Sequence, residues 1–156
     1  METRQVVFSA GTATRDIDSF IDMLRAGEIR CVADVRRFPR SRRAHFDREP
    51  FRTALLRAGI DYVFFGDELG GFRRGSYARH MLTPDFASGI ARLESLALRR
   101  PTCFVCAEAD PARCHRRYIA DVLSSRGWRV VHLLSPKARR VHQPPLIAPV
   151  VGPAGE

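Results

Sequence analysis

At 156 residues, with 45% hydrophobic and 28% charged side chains, the chain has the size and balance of one globular domain with its own core, which excludes disordered, collagenous and membrane compositions. A formal net charge of +9 points toward a polyanionic partner, but the excess is almost all arginine, with Lys137 the only lysine, as a coding bias toward Arg would also produce. No apolar run approaches the roughly 20 residues of a membrane helix and the start METRQVVFSA does not read as a signal peptide, so a cytoplasmic protein without a membrane partner is expected, with Cys31, Cys103, Cys106 and Cys114 as thiols.

In chain order, Gln5 to Ser9 reads as a strand and Ala10-Gly11-Thr12-Ala13 as a turn. A helix follows, capped by Thr14, with Asp16 and Asp18 at its positive end, the stripe Ile17, Phe20, Ile21 and Leu24, and a stop at Gly27. Ile29 to Val35 is the second strand. The long basic loop beyond it carries Arg36, Arg37, Arg40, Arg42, Arg43 and Arg48, and loops of this length inside a domain are more often functional than accidental. Glu49 to Ala58 is a helix ending at Gly59, and Tyr62 to Phe65 is the third strand. The segment Gly66 to Leu82, with Glu68, Gly70, Gly71, Arg73, Arg74, Tyr77 and His80, has no clear period and reads as a second functional loop. Thr83-Pro84-Asp85 starts a helix running to about Arg99, Thr102 to Cys106 is the fourth strand, and Asp110-Pro111 opens a helix with apolar positions Tyr118, Ile119, Val122 and Leu123. Trp128 to Leu134 is a fifth strand. Such alternation predicts an α/β fold: a mostly parallel sheet of about five strands with helices on both faces, a Rossmann-like three-layer sandwich. The domain is expected over residues 1–134, with 135–156 as a Pro-rich basic tail, extended or disordered.

In a parallel sheet the loops leaving the strand ends share one edge, and ligands of open α/β sheets bind there. That edge would gather Ser9 and Thr12, then Asp34, Arg36 and Arg37, then Glu68, then Cys106, Glu108 and Cys114. The run from Cys106 to Arg116 is the most informative. It sets a thiol and a carboxylate at a strand end, then places Cys114 and His115 near the first turn of a helix, whose free N–H groups favour an anion or a thiolate. Cys106, Glu108, Cys114 and His115 are the candidate catalytic residues; Thr12, Asp34, Arg36, Arg37, Glu68 and Arg116 are the candidate ligand-binding ones.

Cys31 and Cys103 read as packed core thiols, and Cys106 and Cys114 divide evenly between packing and chemistry. Asp34 beside Arg36 fits an ion pair that orders the loop, Glu108 a solvated acid, and Arg116 and Arg117 solvated cations. No metal and no cofactor are expected. Cys103, Cys106, Cys114 and His115 can be drawn as a zinc set, but on a regular strand Cys103 and Cys106 face opposite sides of the sheet. The glycines lack the pattern of a phosphate-binding P-loop, and the residue six after Cys106 is Ala112, not the arginine of a phosphatase loop.

Three motifs carry a family resemblance: Val35-Arg36-Arg37-Phe38-Pro39-Arg40-Ser41 after Asp34, Gly66-Asp67-Glu68-Leu69-Gly70-Gly71, and Cys106-Ala-Glu-Ala-Asp-Pro-Ala-Arg-Cys-His-Arg. From Val6 to about Leu134 the chain resembles the domain-of-unknown-function-488 (DUF488) family of small bacterial and archaeal proteins. The resemblance implies the same α/β fold and a shared pocket, and it transfers no activity. Family members commonly carry Gly-His-Ser after the first strand, where this chain has Gly11-Thr12-Ala13; this moves weight to His115 or to a binding role.

Two functional readings follow. In one, an enzyme acts on an anionic small molecule, phosphorylated or nucleotide-like, with Arg36 and Arg116 at the anion, Glu108 or His115 moving a proton and Cys106 or Cys114 as nucleophile. In the other, the arginine loop with Phe38, Phe46 and Tyr77 binds nucleic acid or serves regulation, and the cysteines are only packed.

Overall fold

The computed structural model describes residues 5–39, 44–71, 73 and 75–153. The loop arginines Arg40, Arg42, Arg43 and Arg74, together with Ser41 and the tail residues 154–156, lie outside the described residues.

The chain runs β1 (Val6–Gly11), α1 (Ile17–Ala26), β2 (Cys31–Asp34), α2 (Arg48–Arg57), β3 (Asp61–Phe64), α3 (Gly66–Leu69), α4 (Tyr77–His80), α5 (Pro84–Arg99), β4 (Thr102–Cys106), α6 (Arg116–Ser125), β5 (Arg129–Leu133) and β6 (Arg139–Val141). The sheet has six strands in the order β3-β2-β4-β1-β5-β6, parallel throughout except for β6, which pairs antiparallel with β5. It is an α/β sandwich of three layers, as the alternation of elements requires. Among the described residues no helix is long and apolar enough to cross a membrane.

Period-two alternation along the strands divides the core. On one face Phe20, Met23, Leu24, Phe51 and Leu55 of α1 and α2 cover Val32, Cys103, Val105 and Leu133. On the other, Leu69, Phe86, Ile90, Leu93, Ile119 and Leu123 of α3, α5 and α6 cover Val7, Ala33, Phe104, Cys106 and Val130. Cys103 and Cys106 are thus separated by the sheet. Phe46, from a single 3₁₀ turn at Ala44–Phe46, packs edge-on against Phe20 and Phe51 with ring centroids 5.5 Å from each. Burying each ring contributes about 1.5–3 kcal/mol and anchors the otherwise aperiodic basic loop.

Local signals set most boundaries, and tertiary contacts moved the rest. Thr83 caps α5 by accepting from the Phe86 N–H, and Pro84 opens it. For α1 the cap is Asp16, which accepts from Ser19 N–H at 2.7 Å, and not Thr14. Ala10 and Gly11 belong to β1 rather than to a turn, because β4 continues the ladder as far as Gly11 opposite Cys106. Only glycine fits at 11: a Cβ there would lie 1.9 Å from the Glu108 carbonyl oxygen. The segment Gly66 to Leu82, read as a loop, holds the one-turn helices α3 and α4, too short to show a period. The helix expected from Asp110-Pro111 breaks in two. A 3₁₀ turn, Pro111–Arg113, is capped by Asp110; Cys114 is then extended (φ −130°, ψ 155°) before α6 starts.

Candidate functional site

Because β4 lies between β2 and β1, the segments that follow Asp34 and Cys106 leave adjacent strands at the same edge. They open a cleft of about 730 Å³. Arg36, Arg37 and Phe38 line it from the β2 end; Cys106 and Glu108 line it from the β4 end. Arg73 and Tyr77 line it too, together with Arg113, Cys114, His115, Arg117 and Tyr118. The Gly70-Gly71 pair lets these walls meet, since a Cβ at Gly70 would fall 2.5 Å from the Arg37 side chain and one at Gly71 3.2 Å from His115 Nδ1.

Two thiols form the floor and one wall. Cys106 is buried at the end of β4 and Cys114 is half-buried, and the two free thiol sulfurs are 2.7 Å apart. Extension of the backbone at Cys114 is what turns its side chain onto Cys106. Its Sγ also meets His115 Nδ1 at 3.5 Å and accepts the Arg116 backbone N–H at 3.4 Å. The hydrogen bond from Cys106, the His115 ring and that N–H together hold Cys114 well below the usual thiol range, against its burial. Burial and the neighbouring Cys114 push Cys106 up, opposed by the Arg116 guanidinium. The proton of the pair therefore sits on Cys106 and the charge on Cys114. His115 donates from Nε2 to the Val35 carbonyl at 2.8 Å, so its Nδ1 can donate to the Cys114 sulfur only in the doubly protonated, imidazolium form.

Arg116 is the hub beneath the thiols. Only 1% exposed, it donates from Nε to Cys106 Sγ (3.0 Å), from Nη1 to Ser9 Oγ (3.0 Å), and from Nη2 to the carbonyls of Glu108 (2.7 Å) and Ala109 (3.1 Å). From Ser9 a polar chain continues to His132 Nδ1, from His132 Nε2 to His142 Nδ1 (2.9 Å), and from His142 Nε2 to Asp121 Oδ1 (2.6 Å). The partners fix every proton. Arg116 only donates, so Ser9 gives its hydroxyl hydrogen to His132 Nδ1; His132 then donates from Nε2 and His142 from Nε2 to the carboxylate. Burial, His142 and Arg116 hold His132 neutral, its pKa pushed down to about 3.

The cleft brings together six of the residues expected at the site: Cys106, Glu108, Cys114, His115, Arg36 and Arg37. The other four stand elsewhere. Asp34, fully buried, holds Arg36 through two bonds of 2.9 Å and accepts from Tyr62 Oη at 2.5 Å, so it orients a cleft residue and does not line the cleft. Arg36 also donates to the Phe46 carbonyl at 2.7 Å, which ties the basic loop to the aromatic cluster. Thr12 is buried, its N–H bonded to the Cys106 carbonyl at 2.9 Å. Glu68 faces a separate groove, 3.2 Å from Arg92. Arg116 is neither solvated nor at the cleft surface. Sequence reasoning did not single out His132, His142 and Asp121, which no motif marks; Arg113 stood inside the Cys106 to Arg116 motif and Tyr118 among the apolar helix positions, but neither was read as part of a cleft wall.

The fold and this site define an α/β protein with a thiol-bearing cleft at the carboxyl edge of its sheet. The model of a family described as domain of unknown function DUF488 matches residues 16–123, and the chain belongs to that family. Searches of curated proteins and of solved structures found no significant match.

Proposed function

We propose that the cleft binds an anionic small molecule, phosphorylated or nucleotide-like, and that the chain acts on it as a thiol-dependent enzyme with Cys114 as nucleophile. The observation that carries the reading is the company of that sulfur: Arg36, Arg37, Arg73, Arg113 and Arg117 line the same cleft, with Glu108 as the one carboxylate among the described lining residues. Burial and the nearby Arg37 cation lower Arg73, so an anion bound there would relieve a repulsion built into the wall. Tyr77 and Tyr118, with ring centroids 5.5 Å apart and 31° between planes, offer a flat face beside His115 suited to a base or sugar ring. Attack by the Cys114 sulfur would leave a His115 imidazolium, its other N–H held by the Val35 carbonyl, placed to protonate a leaving group from Nδ1.

Alkylation of the reduced protein with iodoacetate and iodoacetamide, located by peptide mapping, tests this. Cys114 should react first, and the anionic reagent should gain on the neutral one relative to a free thiol, with inorganic phosphate competing. A Cys114 no faster than a free thiol, or an unchanged reagent preference, refutes it. The nucleic-acid reading draws on Phe38, 62% exposed at the rim beside Arg37, and requires binding to oligonucleotides that weakens with salt.

A further inference from the structure

We infer that Cys106 and Cys114 are a working dithiol: Cys114 attacks the sulfur–sulfur bond of an anionic low-molecular-weight disulfide, and Cys106 resolves the mixed disulfide that results. This rests on the proposed reading of the cleft, from which it takes the attacking thiol and the charge of the substrate.

The geometry divides the two roles. An attacking thiol must be reachable from solvent, and Cys114 stands half-buried on the cleft wall. A resolving thiol must be screened from other partners yet touch the first sulfur, and Cys106 is 1% exposed with its Sγ 2.7 Å from that of Cys114. Thiolate character is needed on each in turn, and each has its own donors. His115 and the Arg116 N–H serve Cys114; the Arg116 Nε, 3.0 Å from Cys106 Sγ, serves the resolving step. The chain leaves helical geometry between the 3₁₀ turn and α6 at Cys114 itself, the residue whose sulfur meets Cys106. Cys31 and Cys103 are buried toward the other end or face of the sheet, where burial raises both thiols, and they take no part.

In the first step the Cys114 thiolate forms a bond to one substrate sulfur, the substrate S–S bond breaks, and the departing thiolate takes a proton from solvent. In the second, Cys106 yields its proton to water and its sulfur bonds to Cys114 Sγ, breaking the mixed disulfide and releasing the second thiolate. The protein loses two hydrogens, the substrate becomes two thiols, and an external dithiol reductant restores the pair. Carboxylates on the substrate would meet Arg37, Arg73 and Arg117 at the cleft wall.

The test mixes reduced full-length protein with oxidised glutathione, which carries carboxylates at both ends, or with cystamine, which is cationic; acid quenching, intact mass and peptide mapping follow. The expected result is loss of two hydrogens with a Cys106–Cys114 link, formed about 10-fold faster with oxidised glutathione than with cystamine after each is scaled to its rate with a free thiol. Cys106→Ser should stop at a glutathione adduct on Cys114, and Cys114→Ser should give neither adduct nor link. A lasting adduct on Cys114 of the unaltered protein, with Cys106 still a thiol, overturns the dithiol while leaving the nucleophile in place. Equal scaled rates overturn the anionic substrate class. If Cys114 resists both oxidised glutathione and iodoacetate, the reading of the cleft falls with it.

Discussion

Replacing Arg116 with methionine keeps much of the side chain's volume and removes a guanidinium that makes four hydrogen bonds to two parts of the chain, Ser9 on β1 and the run from Cys106 to Ala109. Cys106 Sγ, Ser9 Oγ and the Glu108 and Ala109 carbonyls lose their donor together. An orphaned buried acceptor costs about 1–3 kcal/mol, so four at the low end sum to roughly 4 kcal/mol. Water reaching the two carbonyls near the cleft, and relief of the buried charge, reduce this to about 2–3 kcal/mol. With a urea slope of about 2 kcal/mol per molar, the unfolding midpoint should fall by about 1–1.5 M. Arg116→Lys, a point charge with no fork, should lie between the two. Ser9→Ala leaves Arg116 Nη1–H and His132 Nδ1 without a partner and should cost about 2 kcal/mol. If Arg116→Met unfolds within about 0.3 M of the unaltered protein, the guanidinium does not hold these segments together and the hub is refuted.

Asp34→Asn should destabilise by about 3–5 kcal/mol in thermal or urea unfolding, because Arg36, 5% exposed, would keep its charge without its buried partner. A thiol held low reacts as thiolate down to that low value, so the Cys114 alkylation rate should stay on its plateau through neutral pH and fall only toward about pH 4, where a free thiol's rate is already falling at pH 8. His132 is a base held neutral: its share of stability is complete above its ordinary 6.5 and is lost as pH drops from there toward about 3. Urea midpoints measured across that window should fall, and His132→Gln should flatten the slope. His142→Ala should leave His132 Nε2 without its acceptor and cost about 1–2 kcal/mol by the same measurement.

Where a boundary depends on its own residues, the sequence carries it. β4 was legible at both ends because TCFVC is an unbroken apolar run between Pro101 and the polar Glu108-Ala-Asp-Pro segment; α5 was legible because its cap, proline and stripe agree. Where a boundary depends on a distant partner, it was not. Three exposed residues, Arg139-Arg140-Val141, become β6 only because the β5 edge accepts them. Asp110-Pro111 opens only a three-residue 3₁₀ turn and the helix proper waits until Arg116, yet no local feature says that Cys114 will stay extended between them to meet a thiol on β4. The candidate site divides the same way. Cys106, Glu108, Cys114 and His115 share one short run, so one strand end and one helix start bring them together. The role of Arg116 was misread because charge in a sequence says nothing of burial, and a buried guanidinium is recognisable only once its acceptors from β1 and from the segment after β4 have converged on it.

The polar chain shows most plainly what the one-dimensional record hides. It leaves α6 at Arg116, passes Ser9 on β1, His132 on β5 and His142 just past β6, and returns to α6 at Asp121. Its path follows the sheet order β1-β5-β6, which no single segment encodes. A positive end and a negative end lie on the same helix, with neutral donors aligned head to tail between them, so the circuit clamps α6 against the sheet in one orientation. That orientation sets where Arg116 stands beneath Cys106. Residues 16–123 match the family model, whereas Ser9, His132 and His142 lie outside that span. The setting of the site thiols therefore depends on the first strand and on the residue that follows the last one, and a chain ending before His142 would keep every cleft residue while losing the link that closes the clamp.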